Sequence, residues 1–122
     1  MIQLAIVGAG GWGRRLVEAV QGKSDRVRFA AVVAPRPEKV KEFADARKIR
    51  VTPDYADVLT DPAIDGIVSC GPAQLHAEHS LAALRAGKPV LAVKPMSLFA
   101  REAATLEAAA REHGVLLALG YN

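Results

Sequence analysis

Residues 8–13 read Gly-Ala-Gly-Gly-Trp-Gly, directly after the apolar run at residues 3–7 and directly before an amphipathic stretch at residues 12–21. No other feature restricts the fold as much. A run of strand character that enters a glycine turn and leaves it as a helix is the opening of a βαβ unit. Gly8 permits the tight turn, and Gly13 lets the new helix pack closely against the strand that precedes it.

The rest of the chain repeats that opening. Short apolar runs, rich in β-branched residues, fall at 3–7, 29–33, 50–52, 64–69, 90–93 and 115–119, and they lack the polar alternation of half-exposed strands. Between them lie helical patterns at 12–21, 38–47, 74–86 and 100–113, with apolar residues three and four apart. Each of these connects neighbouring parallel strands. Gly87 and Gly114 stand where two of the helices must stop, and Asp54 or Thr52 caps a short helix at 54–59. The pattern predicts an α/β fold, a doubly wound parallel sheet of Rossmann type in three layers, forming a single domain over residues 1–122.

Composition narrows the class of partner. At 122 residues, 51% hydrophobic and 24% charged, the chain suits one ordinary globular core. The net charge of +3 is spread among acids and only 5% of residues are aromatic, which sets nucleic acid aside. Cys70 is the single cysteine, so no internal disulfide or cysteine-rich zinc site exists, and a reducing, cytoplasmic setting is expected. The first residues resemble no secretion signal, and no apolar run reaches the roughly 20 residues that cross a bilayer, so no membrane partner is expected.

The spacing Gly8, Gly10, Gly13 fits G-x-G-x-x-G, and its position after a strand and before a helix gives it a use. Gly10 lets the main chain approach a pyrophosphate, while the helix N-terminus, at Gly11 and Trp12, offers free N–H groups and partial positive charge. Trp12 covers the edge of such a ligand or packs on the sheet; Arg14 and Arg15 reach a phosphate or form a solvated helix face. About 20 residues further on, where an NAD-selective domain carries an Asp or Glu, the chain has Ala34-Pro35-Arg36-Pro37. A missing carboxylate removes a repulsion against a ribose 2′-phosphate of up to about 4 kcal/mol at about 4 Å separation. Arg36 adds a planar fork suited to that phosphate, and Lys39 lies one turn on. The expected cofactor is NADP or NAD, with NADP favoured.

Two further segments, Ser69-Cys70-Gly71-Pro72-Ala73-Gln74-Leu75-His76 and Val93-Lys94-Pro95, join the glycine loop and the ending Gly120-Tyr121-Asn122. With them the whole chain resembles the N-terminal domain of the Gfo/Idh/MocA oxidoreductases. The resemblance implies that Lys94 moves the proton of a substrate hydroxyl beside the nicotinamide, that Pro95 is a candidate cis proline, and that Gly71, Pro72 and His76 line the cofactor near its nicotinamide half; Ser69, Lys94 and Pro95 are further candidate cofactor-binding residues. Two departures stand out: Val93 replaces the family's Glu, and Gly71-Pro72-Ala73 replaces its Thr-Pro-Asn.

His76, Glu78 and His79 lack a further ligand cluster, so no metal is expected. Cys70 reads as a small strand-end hydrophobe rather than a nucleophile. A methyltransferase also uses a glycine loop, but generally wants an acid where Ala34 stands. By the resemblance, a larger C-terminal domain with the substrate pocket is missing, and Asn122 falls at its boundary. The parent protein is then expected to transfer hydride between the nicotinamide and a secondary alcohol or ketone of a sugar or cyclitol, a small-molecule substrate, with a homo-oligomer possible. The isolated chain is expected to be inactive. The alternative is a stand-alone dinucleotide-binding or partner-binding module without chemistry.

Overall fold

Strand β1 (Ile2–Val7) opens the chain and lies at the centre of a fully parallel sheet of six strands, in the order β3-β2-β1-β4-β5-β6. The others are β2 (Val27–Val33), β3 (Arg50–Thr52), β4 (Gly66–Ser69), β5 (Val90–Val93) and β6 (Leu117–Gly120). The computed structural model describes residues 1–121; Asn122, the last residue of the Gly-Tyr-Asn ending, lies outside them. Helices α1 (Gly11–Val20) and α2 (Lys41–Asp45) link β1 to β2 and β2 to β3; α4 (His76–Arg85) and α5 (Ala100–His113) link β4 to β5 and β5 to β6. Short α3 (Ala56–Leu59) carries the chain across from β3 to β4. This is the doubly wound architecture the sequence pattern predicts.

Alternating side chains of the strands divide into two cores. Ile6, Val32 and Val68 point to one face, where they pack with Val17 of α1 and Phe43 and Ala44 of α2. Ala5, Val7, Ile67, Val90 and Ala92 point to the other, against Ala83 and Leu84 of α4 and Leu106 and Ala109 of α5. The central strands are buried on both sides, which is why they contain hardly a polar residue.

Boundaries differ from the sequence expectation where proline and local capping act. The stretch 38–47 is a 3-10 turn, Pro37–Lys39, followed by the single-turn α2, because Pro37 starts the turn while Val40, at φ −118°, interrupts it. Residues 74–86 likewise split into a 3-10 turn, Ala73–Leu75, and α4. The fourth strand starts at Gly66, not at residue 64, since Ile64 closes a turn onto the Asp61 carbonyl. The sixth runs two residues later than its apolar run begins, because the Val115 N–H is still bonded to Ala110. Tyr55, not Asp54 or Thr52, is the N-cap of α3; Asp54 instead accepts from the Ala56 N–H at 2.9 Å in the turn that enters the helix, and the Thr52 hydroxyl accepts from the Asp54 N–H. Gly87 and Gly114, at φ 74° and 63°, end α4 and α5 in the left-handed conformation.

Candidate dinucleotide site

Reversal of winding between β1 and β4 opens a crevice at the carboxyl ends of the strands, and the glycine loop, Ala34, Gly71 and Lys94 all follow strand ends on that edge. At its centre the ends of β1 and β4 are held together by the Cys70 N–H bonding the Val7 carbonyl at 2.9 Å. Just beyond, Gly8 takes φ 91° and its backbone sits so close to Gly71 that an added Cβ would lie 2.6 Å from the Gly71 Cα. Only glycine fits there. Gly13 is constrained in the same way, since a Cβ on it would run into the Gly8 carbonyl.

Gly10 and Gly11 behave differently. A Cβ on either would meet no protein atom within 4 Å, so the absence of side chains keeps space open rather than relieving a clash. Gly8 donates to the Val33 carbonyl and Arg14 to the Gly10 carbonyl, but the N–H groups of residues 9–13 have no acceptor among the described residues. An open cradle lined by unpaired amides at the start of a ten-residue helix suits a diphosphate.

Toward β2 and β3 the edge is polar and open. Ala34 is buried and its N–H is bonded to the Thr52 carbonyl, so this position presents no carboxylate. Arg36 and Lys39 are exposed, and neither side chain has a hydrogen-bond or ion-pair partner among the described residues. Arg14, for which a phosphate contact and a solvated face were both open, is half-buried and bonded to the protein. Its Nε donates to the Ala9 carbonyl at 3.1 Å, an Nη to the Lys39 carbonyl at 3.0 Å, and the guanidinium lies 4.9 Å from the centre of the Phe43 ring. Arg14 thereby fastens the glycine loop to the Arg36–Lys39 turn. Arg15 is exposed.

Toward β5 and β6 the edge closes over a cavity of about 390 Å³, lined among others by Trp12, Leu16, Gly71, His76, Val93 and Lys94. Trp12, 45% exposed, faces this cavity together with Leu16 one helical turn on, so it covers the crevice and leaves the sheet core to others. Lys94 directly follows β5, exposed, with its N–H on the Gly120 carbonyl at 3.2 Å; the Lys94–Pro95 peptide is cis, the isomer the resemblance implies. Pro72 is exposed at the rim. Ser69 is fully buried, on the same side of β4 as Ile67, and its hydroxyl is closed off from the cavity.

His76 is 3% exposed, with Nδ1 2.6 Å from the Pro95 carbonyl and Nε2 2.7 Å from the Gly71 carbonyl. Its edge lines the cavity, yet both nitrogens are engaged by the protein. His79 stacks edge-on to Tyr55, with ring centres 5.3 Å apart, and burial lowers its pKa below the ordinary imidazole value; Glu78 opposes that shift and His76 adds to it. Burial pushes the Tyr55 hydroxyl up, so it stays a donor, bonding the His79 carbonyl at 2.7 Å. Burial also pushes the Cys70 thiol up and keeps it protonated, which does not suit a nucleophile.

Sequence reasoning missed the apolar wall of the cavity. The four-residue spacing of Trp12 and Leu16 could have revealed part of it, since it places both on one helix face. It also missed the paired bonds of His76, for which the sequence carries no signal.

Fold and edge together define a dinucleotide-binding domain of the kind that serves oxidoreductases. Residues 2–121 match the oxidoreductase family with an NAD-binding Rossmann fold, and the chain belongs to that family, Gfo/Idh/MocA. Over 122 residues it is 35% identical to scyllo-inositol 2-dehydrogenase (NADP(+)) IolW of Bacillus subtilis, covering 99% of this chain and 33% of that protein. A crystal structure of GenD2 from gentamicin A biosynthesis, in complex with NAD, superposes with a TM-score of 0.91 at 32% identity, over 98% of this chain and 34% of GenD2. A variant of KijD10, a 3-ketoreductase from Actinomadura kijaniata in complex with TDP-benzene and NADP, gives 0.89 at 30% identity, over 98% and 38%. The chain therefore spans about a third of the length of these relatives. It is an NAD(P)-binding domain, and none of its helices is long and apolar enough, among the described residues, to cross a membrane.

Proposed function

We propose that this chain is the nucleotide domain of a longer NADP-dependent oxidoreductase that interconverts a secondary alcohol and a ketone on a sugar or cyclitol. The observation that carries the reading is the edge itself: unpaired amides over an open cradle at Gly10 and Gly11, with Lys94 across the cavity. The bound nicotinamide supplies or accepts the hydride. Residues 9–13 hold the diphosphate, Arg36 and Lys39 hold the ribose 2′-phosphate, and Trp12 excludes water from the cavity. Lys94 Nζ gives a proton to the substrate oxygen during reduction and takes it back during oxidation. Such a substrate is in keeping with scyllo-inositol 2-dehydrogenase IolW and the 3-ketoreductase KijD10. A stand-alone module gains no support from these relatives.

The test has two arms. Trp12, the single tryptophan, reports binding directly, and NADPH is expected to bind about tenfold more tightly than NADH, as one charge-assisted contact of about 1.4 kcal/mol predicts. Equal affinities would remove the NADP assignment. In the domain joined to its substrate domain, Lys94→Ala is expected to lower turnover by at least about a hundredfold with NADPH affinity unchanged; full turnover would remove Lys94 from the chemistry.

A further inference from the structure

The turn that carries Arg36 and Lys39 is joined to the rest of the molecule by very few bonds. Its two ends, Ala34 and Val40, are buried, but residues 35–39 between them are exposed, apart from the half-buried Pro37. Pro35 and Pro37 have no N–H to give. The Lys39 and Val40 N–H groups bond back inside the turn, to the Arg36 and Pro37 carbonyls. Among the described residues, one hydrogen bond joins residues 35–39 to another element: the Lys39 carbonyl accepts from an Nη of Arg14 at 3.0 Å.

Arg14 is itself held by several groups. Its Nε donates to the Ala9 carbonyl inside the glycine loop at 3.1 Å, and its guanidinium lies 4.9 Å from the centre of the Phe43 ring on α2. The Arg47 guanidinium lies 4.0 Å from the same ring and bonds Glu18 of α1 at 2.9 Å, so α1 and α2 are clasped around Phe43. A planar fork oriented by a ring and by one carbonyl aims its remaining donors in a fixed direction. Through this one side chain the loop with the unpaired amides and the turn with Arg36 keep a set separation.

We infer that Arg14 is a positioning residue for cofactor choice: by tying Lys39 to the glycine loop, it fixes how far Arg36 and Lys39 stand from the amides of residues 9–13, so that their charges meet a ribose 2′-phosphate once the diphosphate is seated. Arg36 supplies the attraction. Arg14 orders the turn beforehand and so removes an ordering cost from the binding step. It acts through Arg36 and is not itself a phosphate ligand. The role in cofactor choice rests on the function proposed above; the tether does not.

The experiment uses the 122-residue chain, amide NMR without ligand, and calorimetric titration with NADPH and NADH. Arg14→Met keeps an unbranched side chain over Phe43 and loses every donor. In the ligand-free variant the amide signals of Arg36, Glu38 and Lys39 are expected to shift and to exchange faster; unmoved signals in a folded variant overturn the tether. The preference for NADPH is expected to fall from about tenfold to about twofold, most of the one charge-assisted contact that Arg36 supplies. A preference that stays whole overturns the positioning role. Combined with Arg36→Ala, the Arg14 change is expected to leave the ratio of the two affinities where Arg36→Ala alone puts it, because no selecting charge is left to place. A further fall of the same size means that Arg14 acts on the phosphate directly, and overturns the inference. Arg14→Lys keeps the charge without the fork and carries the same test if the Met variant unfolds: its preference is expected to fall as well, and a whole preference overturns the role. Equal affinities in the unaltered chain would sink the NADP reading and the role in cofactor choice together, with the ligand-free signals still deciding the tether; a tenfold preference that survives loss of the Arg14 fork would sink this inference alone.

Discussion

The two ends of the carboxyl edge are made on opposite terms. Around Ala34–Lys39 the side chains that matter, Arg36 and Lys39, stand in solvent with no protein partner among the described residues. Around Gly71–His76 and Lys94 the Gly71 backbone is wedged against Gly8, and the polar atoms of His76 are consumed by neighbouring carbonyls. One end can change its charges without disturbing the core, and so it can change its preference between related ligands. The other end is a frame fixed by close backbone packing at Gly8 and Gly71 and by the buried bonds of His76.

The largest expected effect tests the frame. Gly8→Ala places a methyl group 2.6 to 2.7 Å from the Gly71 and Cys70 backbone at a positive φ, and neither backbone can give way without moving β1 or β4. Strain and overpacking together are expected to cost about 3 kcal/mol, a fall in melting temperature of more than about 10 °C. Gly10→Val is the control. Its side chain enters empty space, so melting should be unchanged while dinucleotide binding is lost. A Gly8 variant that melts normally, or a Gly10 variant that binds normally, would erase the distinction between a glycine needed by the fold and one needed by the ligand.

Those two glycines also mark how far sequence reaches. The spacing of Gly8, Gly10 and Gly13 foretold the turn, the helix and the ligand, because a strand–turn–helix transition leaves few alternatives. Six strand positions were legible since strands buried on both faces are written as unbroken apolar runs. What could not be read were long-range contacts between polar atoms. The bonds of Arg14 to Ala9 and Lys39, or of His76 to Gly71 and Pro95, join segments whose approach is fixed only after the sheet has formed. Ser69 stands at the end of β4, where the sequence places it, and strand alternation buries its hydroxyl, a detail that the apolar run does not spell out.

A smaller effect is expected at the open end. Arg36→Ala removes an exposed cation that has no side-chain partner among the described residues, so stability should be unchanged within about 0.5 kcal/mol. NADPH affinity should fall about tenfold and NADH affinity not at all, as parallel Trp12 titrations would show. An equal loss for both cofactors would mean that Arg36 contacts the part they share, the diphosphate or adenine, and that the open end does not select between them.

The smallest effect concerns His79, which lies beneath the frame: a Cβ on Gly71 would sit 3.6 Å from its Nδ1. Burial lowers its pKa in the folded chain below the ordinary 6.5, so the unfolded chain binds the proton more readily between those two values. By linkage, stability rises with pH through that interval. The contribution is fully present above 6.5 and is lost as pH falls toward the lowered folded value. Since the ring is only partly buried, the effect is a small slope rather than an acid-induced collapse. His79→Gln is expected to flatten the rise of melting temperature between mildly acidic and neutral pH, while Arg36→Ala leaves it intact. If the slope survives in the Gln variant, the acid sensitivity belongs to another group, and the frame around Gly71 is rigid to protonation as well as to side-chain size.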